Sequence, residues 1–138
     1  RMTKVMIAGT FDNFHVGHQF LIAQAIEQGN EIVIIVARDK TVQKIKGRCP
    51  KNGEVDRLKK VEIYLRLYPS AISSESFSVR LGRSDADFFE TIREEDPDML
   101  LLGYDQRVDT ESVAKEFSDL QIKRATAYKP DVFKSSKF

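Results

Sequence analysis

Short apolar runs alternate along the chain with longer stretches in which apolar positions recur at helical spacing. Lys4–Ala8 (KVMIA) is a brief apolar run closed by Gly9, which predicts a buried strand. His18–Gln28 gathers Phe20, Leu21, Ala25 and Ile26 on one helical face, and Gly29 stands where a C-terminal cap belongs. Glu31–Ala37 (EIVIIVA) is β-branched and nearly continuous, the pattern of a central strand covered on both sides. Val55–Tyr68 carries a helical stripe of Leu58, Val61, Ile63, Leu65 and Tyr68, and Phe77–Leu81 reads as a weaker strand. Asp85 is placed to cap a helix running to Glu95, which Pro97 ends; Asp98–Leu102 (DMLLL) is a further buried strand. Ser112–Phe117 falls in another helix and Gln121–Ala125 in a fifth strand.

Strands that alternate with helices predict an α/β fold: a Rossmann-like open parallel sheet of five strands with helices on both faces. In such sheets ligands bind beyond the carboxyl ends of the strands, near the point where strand order reverses. Chemistry is therefore expected just after the strands, in Gly9–His18, Arg38–Pro50, Gly103–Asp109 and Thr126–Phe138.

Composition narrows the picture modestly. The 138 residues amount to one domain, and residues 1–138 are expected to form a single unit. With 22 Lys+Arg against 21 Asp+Glu the net charge is +1, so no long-range basic field points to nucleic acid. A single cysteine, Cys49, excludes an internal disulfide and a Cys-rich zinc site. No apolar run approaches the roughly 20 residues of a membrane span, and the opening apolar stretch is too brief for a signal peptide. The expected setting is a reducing cytoplasm, with no nucleic-acid or membrane partner.

The first post-strand segment, GTFDNFHVGH, holds both histidines of the protein, His15 and His18, with Gly17 between them at a helix start. Helix N-termini favour phosphate because their N–H groups are free and carry partial positive charge. Two imidazoles there add hydrogen-bond donors. A lone histidine is more often structural; H-x-G-H directly after a strand reverses that weighting. The second segment is basic: from Arg38 to Lys60 nine Lys or Arg stand against three Asp or Glu, a local excess of +6. Lys44, Lys46 and Arg48 recur at every second residue, and Gly47 is expected to let a loop turn. Such a loop suits a triphosphate.

The block GTFDNFHVGH resembles the signature of the HxGH nucleotidyltransferases, in their cytidylyltransferase-like branch. V-A-R-D-K-T-V-Q-K-I-K-G-R-C-P and L-G-Y-D-Q are similar to archaeal FAD synthases within that branch. Neither a Walker A loop nor G-x-G-x-x-G occurs. The resemblance implies transfer of AMP from ATP to FMN, giving FAD and pyrophosphate. The other acceptor class it allows is glycerol 3-phosphate or another phosphorylated small molecule, with CTP as donor. A binding domain without catalysis is a further alternative, disfavoured by the intact H-x-G-H and the lysine-rich segment.

The resemblance also implies roles. His15, His18, Lys44 and Lys46 are the expected catalytic residues, the imidazoles on the α-phosphate and the lysines on acceptor and triphosphate oxygens. Gly9, Thr10, Phe11, Val16 and Gly17 would line the nucleotide with the histidines, and Gly103, Asp105 and Tyr128 would complete its seat. Ser135 and Ser136, in FKSSK, correspond to the paired hydroxyls that many relatives place on the leaving pyrophosphate. The R-T-x-G that precedes them in relatives is replaced here by Lys129-Pro130. No protein-built metal site is expected; Mg²⁺ or another divalent cation would arrive on the nucleotide. A homodimer is compatible with these features.

Overall fold

The computed structural model of the protein describes residues 3–68 and 76–127. Five strands form one sheet: β1 (Lys4–Gly9), β2 (Glu31–Val36), β3 (Phe77–Leu81), β4 (Met99–Leu102) and β5 (Gln121–Arg124). Their order is β3-β2-β1-β4-β5 and every pairing is parallel. The chain winds outward from β1 to β3, then returns to the other side of β1 for β4 and β5. The order therefore reverses between β1 and β4, the point at which sheets of this kind bind ligands beyond the carboxyl ends of their strands.

Five helices connect the strands: α1 (Val16–Gln28), α2 (Asp39–Lys46), α3 (Glu54–Leu67), α4 (Phe88–Glu95) and α5 (Thr110–Glu116). Alternation along each strand sends side chains to two separate cores. Val5, Ile7, Ile32, Ile34, Val36, Met99 and Leu101 pack with Ile22 and Ala25 of α1 and Val61 and Leu65 of α3. Met6, Val33, Ile35, Leu100 and Leu102 face the other way, against Ile92 of α4 and Val113 of α5. Burying each such aliphatic side chain is worth about 1.5–3 kcal/mol, which is why β1 and β2 need apolar residues on both faces.

Several local expectations are corrected. α1 begins at Val16 rather than His18, with His15 as its cap. Gly29 is the C-cap of α1 as expected, but in an extended (φ −155°) rather than a left-handed conformation. A Cβ there would lie 2.6 Å from the Thr3 carbonyl oxygen, and close chain approach is what demands glycine. The basic segment is not a loop: eight of its residues form α2, closed by Gly47 in the left-handed conformation (φ 72°) with its N–H on Gln43 O. Asp87, not Asp85, caps α4; Asp85 is instead paired with Arg83. Ile63, counted in the helical stripe of α3, is exposed.

Candidate active site

The H-x-G-H segment builds the start of α1 from its own side chains. His15 Nδ1 accepts the Gly17 N–H at 3.0 Å, and His18 Nδ1 accepts the His15 N–H at 3.1 Å. Each imidazole caps the turn on which the other sits, a capping box made of two histidines. The rings stack with centroids 3.8 Å apart. Since both Nδ1 atoms accept, each neutral ring carries its proton on Nε2. His18 is held neutral: its pKa is pushed down to about 4, first by burial and then by the His15 ring, with Asp12 opposing and Lys46 adding to the depression.

Glycine at position 17 follows from this packing, since a Cβ there would lie 2.9 Å from Cε1 and 3.0 Å from Nδ1 of His15. Phe11 adopts positive φ (56°) and buries its ring. That ring lies under Gly9, whose Cβ would meet it at 3.1 Å, and meets His18 edge-on at 5.4 Å. Phe11 thus supports the turn with its side chain and leaves only backbone for a ligand. Phe14 stacks on His18 from another side at 5.6 Å.

The turn is clasped to the segment before α3. Asp12 accepts backbone N–H groups from Lys51 (2.8 Å) and Asn52 (2.9 Å), and Asn52 Oδ1 accepts the Asn13 N–H at 3.0 Å. Burial works against the Asp12 carboxylate, but those N–H groups prevail and hold its pKa below the ordinary carboxylate range. Beneath the clasp lies Arg57, fully buried and bonded to Thr10 O, Ala37 O, Asn52 O and Asp39. Sequence reasoning missed Arg57, which in the chain is one basic residue among nine.

Lys44 and Lys46 both occupy the last turn of α2. Residues two apart on a helix lie about 200° apart around its axis, so their side chains leave from opposite sides. Lys46 is the one whose charge acts on His18.

The opposite rim follows β4. Gln106 Oε1 accepts the Gly103 N–H and its Nε2 donates to Ala8 O, both at 3.0 Å. The side chain thereby spans the gap where β1 and β4 diverge. Arg124 donates to the carbonyls of Gly103 and Gln106, each at 2.8 Å. Tyr104 and Asp105 sit exposed on the turn so held. Gln106 was not among the expected site residues, although it belongs to the L-G-Y-D-Q run that drew attention to the segment. The structure thus gathers Gly9, Thr10, His15, Val16, Gly17 and His18 in the turn between β1 and α1, with the Lys46 charge felt at His18; Gly103 and Asp105 lie in the segment after β4, tied back to Ala8 through Gln106. Tyr128, Ser135 and Ser136 lie outside the described residues. Among the described residues no three His, Cys, Asp or Glu side chains cluster so as to hold a metal ion. None of their helices is long and apolar enough to cross a membrane.

A reversal of strand order and a helix start that carries two imidazole donors form the candidate site. A family model described as cytidylyltransferase-like matches residues 6–136, and the chain belongs to that family. The FAD synthase of Thermococcus sibiricus is 34% identical over 139 residues, spanning 97% of this chain and 88% of that protein. The FAD synthase of Methanosarcina mazei is 39% identical over 118 residues, spanning 85% of this chain and 70% of that protein. Among solved structures, the lipopolysaccharide core biosynthesis protein from Thermoplasma volcanium superposes with a TM-score of 0.78 at 28% identity, over 94% of this chain and all of that one.

Proposed function

We propose that the protein is an FMN adenylyltransferase, which transfers AMP from ATP to FMN and releases FAD and pyrophosphate. The observation that carries this reading is the reciprocal capping of His15 and His18, which commits both Nδ1 atoms to the backbone and leaves two Nε2–H donors at a helix start. That arrangement suits the α-phosphate of a nucleotide, where charge builds during transfer. The relatives at 34% and 39% identity, both FAD synthases, direct the acceptor assignment to FMN.

An oxygen of the FMN phosphate attacks the α-phosphorus; the new P–O bond forms as the bond to the β-phosphate oxygen breaks, and pyrophosphate leaves. A phosphate monoester has its second pKa near 6, so the nucleophile is ionised at neutral pH without a base. His15 and His18 have no spare lone pair with which to act as one. Their role is donation to the transferring phosphoryl group, with Thr10 beside them. Lys46 supplies charge from α2, and Asp105 helps to seat the nucleoside from the opposite rim. The donors at the helix start fit phosphate oxygens rather than a cation, so a divalent ion enters with the nucleotide. When bound, it neutralises phosphate charge.

The test is turnover with FMN and ATP set beside glycerol 3-phosphate and CTP, following pyrophosphate in both. Release with FMN and ATP is expected. Release with glycerol 3-phosphate alone overturns the flavin assignment while leaving nucleotidyl transfer intact.

A further inference from the structure

Among the described residues Arg57 is the single charged side chain with no exposed surface. Its fork reaches three segments at once. Nη1 donates to Thr10 O and to Ala37 O, each at 2.7 Å, Nε donates to Asn52 O at 2.9 Å, and Nη2 donates to the Asp39 carboxylate at 2.7 Å. Thr10 follows the last residue of β1 and Ala37 the last residue of β2. The strand ends are already paired, Gly9 opposite Val36 with the Ala37 N–H on Gly9 O; the guanidinium ties the first residues beyond them, from which the imidazole turn and the basic helix depart, to each other and to the segment before α3. Asp39 is the first residue of α2 and Lys46 the last. A clamp at Asp39 thus sets where the far end of this short helix lies.

Stability alone does not call for an arginine here. Buried ion pairs are often replaceable by apolar residues without loss, and α3 is otherwise anchored by Val61 and Leu65. What an apolar residue cannot do is tie the first residues beyond two strands to a helix start through divergent bonds. Lysine, a point donor on a flexible stem, cannot reproduce that geometry either.

We propose that Arg57 is a positioning residue for nucleotidyl transfer: it sets the imidazole turn at residues 10–18 against α2, and through α2 places the Lys46 ammonium on the transferring phosphates. This rests on the functional reading above. Arg57 itself touches no substrate.

The test is a double-mutant cycle between Arg57→Lys and Lys46→Gln, with far-UV circular dichroism and thermal unfolding as checks on folding. It is read twice, as kcat/KM for ATP with FMN and as Kd for magnesium pyrophosphate. Arg57→Lys is expected to lower kcat/KM about 10²-fold, the cost of misplacing reacting groups by about an ångström. Lys46→Gln is expected to lower it about 10-fold, the loss of one charge-assisted bond. If Arg57 acts through α2, the double variant stays within about 3-fold of Arg57→Lys alone. A merely structural arginine lowers the unfolding temperature but leaves the two effects multiplicative, near 10³-fold, and that result overturns the proposal. Should Arg57→Lys fail to fold, Asp39→Asn takes its place in the cycle; that side chain is 44% exposed, and asparagine keeps an oxygen that can accept the Arg57 Nη2 N–H while losing the charge. Independence of Asp39→Asn and Lys46→Gln is equally fatal. Absence of wild-type turnover with every nucleotide and acceptor removes the functional reading alone, because the pyrophosphate cycle still decides the role of Arg57.

Discussion

Replacing Gly17 by alanine separates the structural and chemical duties of the H-x-G-H turn. The new Cβ would lie 2.9 Å from His15 Cε1 and 3.0 Å from His15 Nδ1, closer than carbon atoms tolerate. The imidazole is the movable partner, so it swings away and surrenders its bond to the N–H of residue 17. Losing a side-chain N-cap costs about 1 kcal/mol. Alanine in place of glycine within a helix returns up to about 1 kcal/mol. The net change in stability is therefore small, a shift in Tm of no more than about 4 °C for a chain of this size. The chemical cost is larger: one of two donors has left the place where charge builds, worth about 10²–10³-fold in kcat. Steady-state pyrophosphate release and a thermal melt on the same preparation measure both quantities. A variant with near-normal kcat would refute the reasoning, because it would show that the imidazole kept its place or that its place is immaterial. A variant that melts more than about 10 °C early would show that the turn carries more of the fold than its cap.

Other outcomes follow from the same geometry. His18 stays neutral in the folded protein down to about pH 4, whereas in the unfolded chain it gains a proton near 6.5. Its contribution to stability is thus fully present above pH 6.5 and is lost as the pH falls towards 4; in His18→Asn the urea midpoint should fall less steeply over that window. Gln106→Ala leaves Gly103 N–H and Ala8 O without their partner, which should cost about 1–3 kcal/mol in urea unfolding and raise KM for ATP more than it lowers kcat. Gly29→Ala drives a Cβ to 2.6 Å from Thr3 O and should destabilise by about 1–3 kcal/mol while sparing kcat.

The strands were legible because burial on both faces forces uninterrupted apolar runs, and EIVIIV and MLLL admit little else. The turn carrying His15 and His18 stood out because both histidines of the chain follow a strand directly, at a helix start that favours phosphate. α2 was not, because it buries little more than Val42 and its remaining residues look like a solvated loop. Arg57 was invisible for a different reason. Its partners are mostly backbone carbonyls at residues 10, 37 and 52, which no side-chain pattern reports. Asp85 and Asp87 illustrate the limit of capping rules: both are chemically able to cap α4, and the ion pair with Arg83 decides between them.

The strand order has a consequence for how the site comes into being. β1 finds β2 locally, with Lys4 opposite Glu31, but its other neighbour is distant: Val5 pairs with Met99 and Met6 with Leu100. Contacts so far apart in sequence close large loops at a greater entropic cost than the β1–β2 pairing does. The imidazole turn and the basic helix can thus assemble as one early unit while the site still lacks its second wall. That wall arrives only when β4 docks and Gln106 reaches Ala8. Nucleotide added during refolding should therefore leave the early phase unchanged and accelerate no step before β4 joins, acting instead as a latch that slows unfolding once the chain has closed.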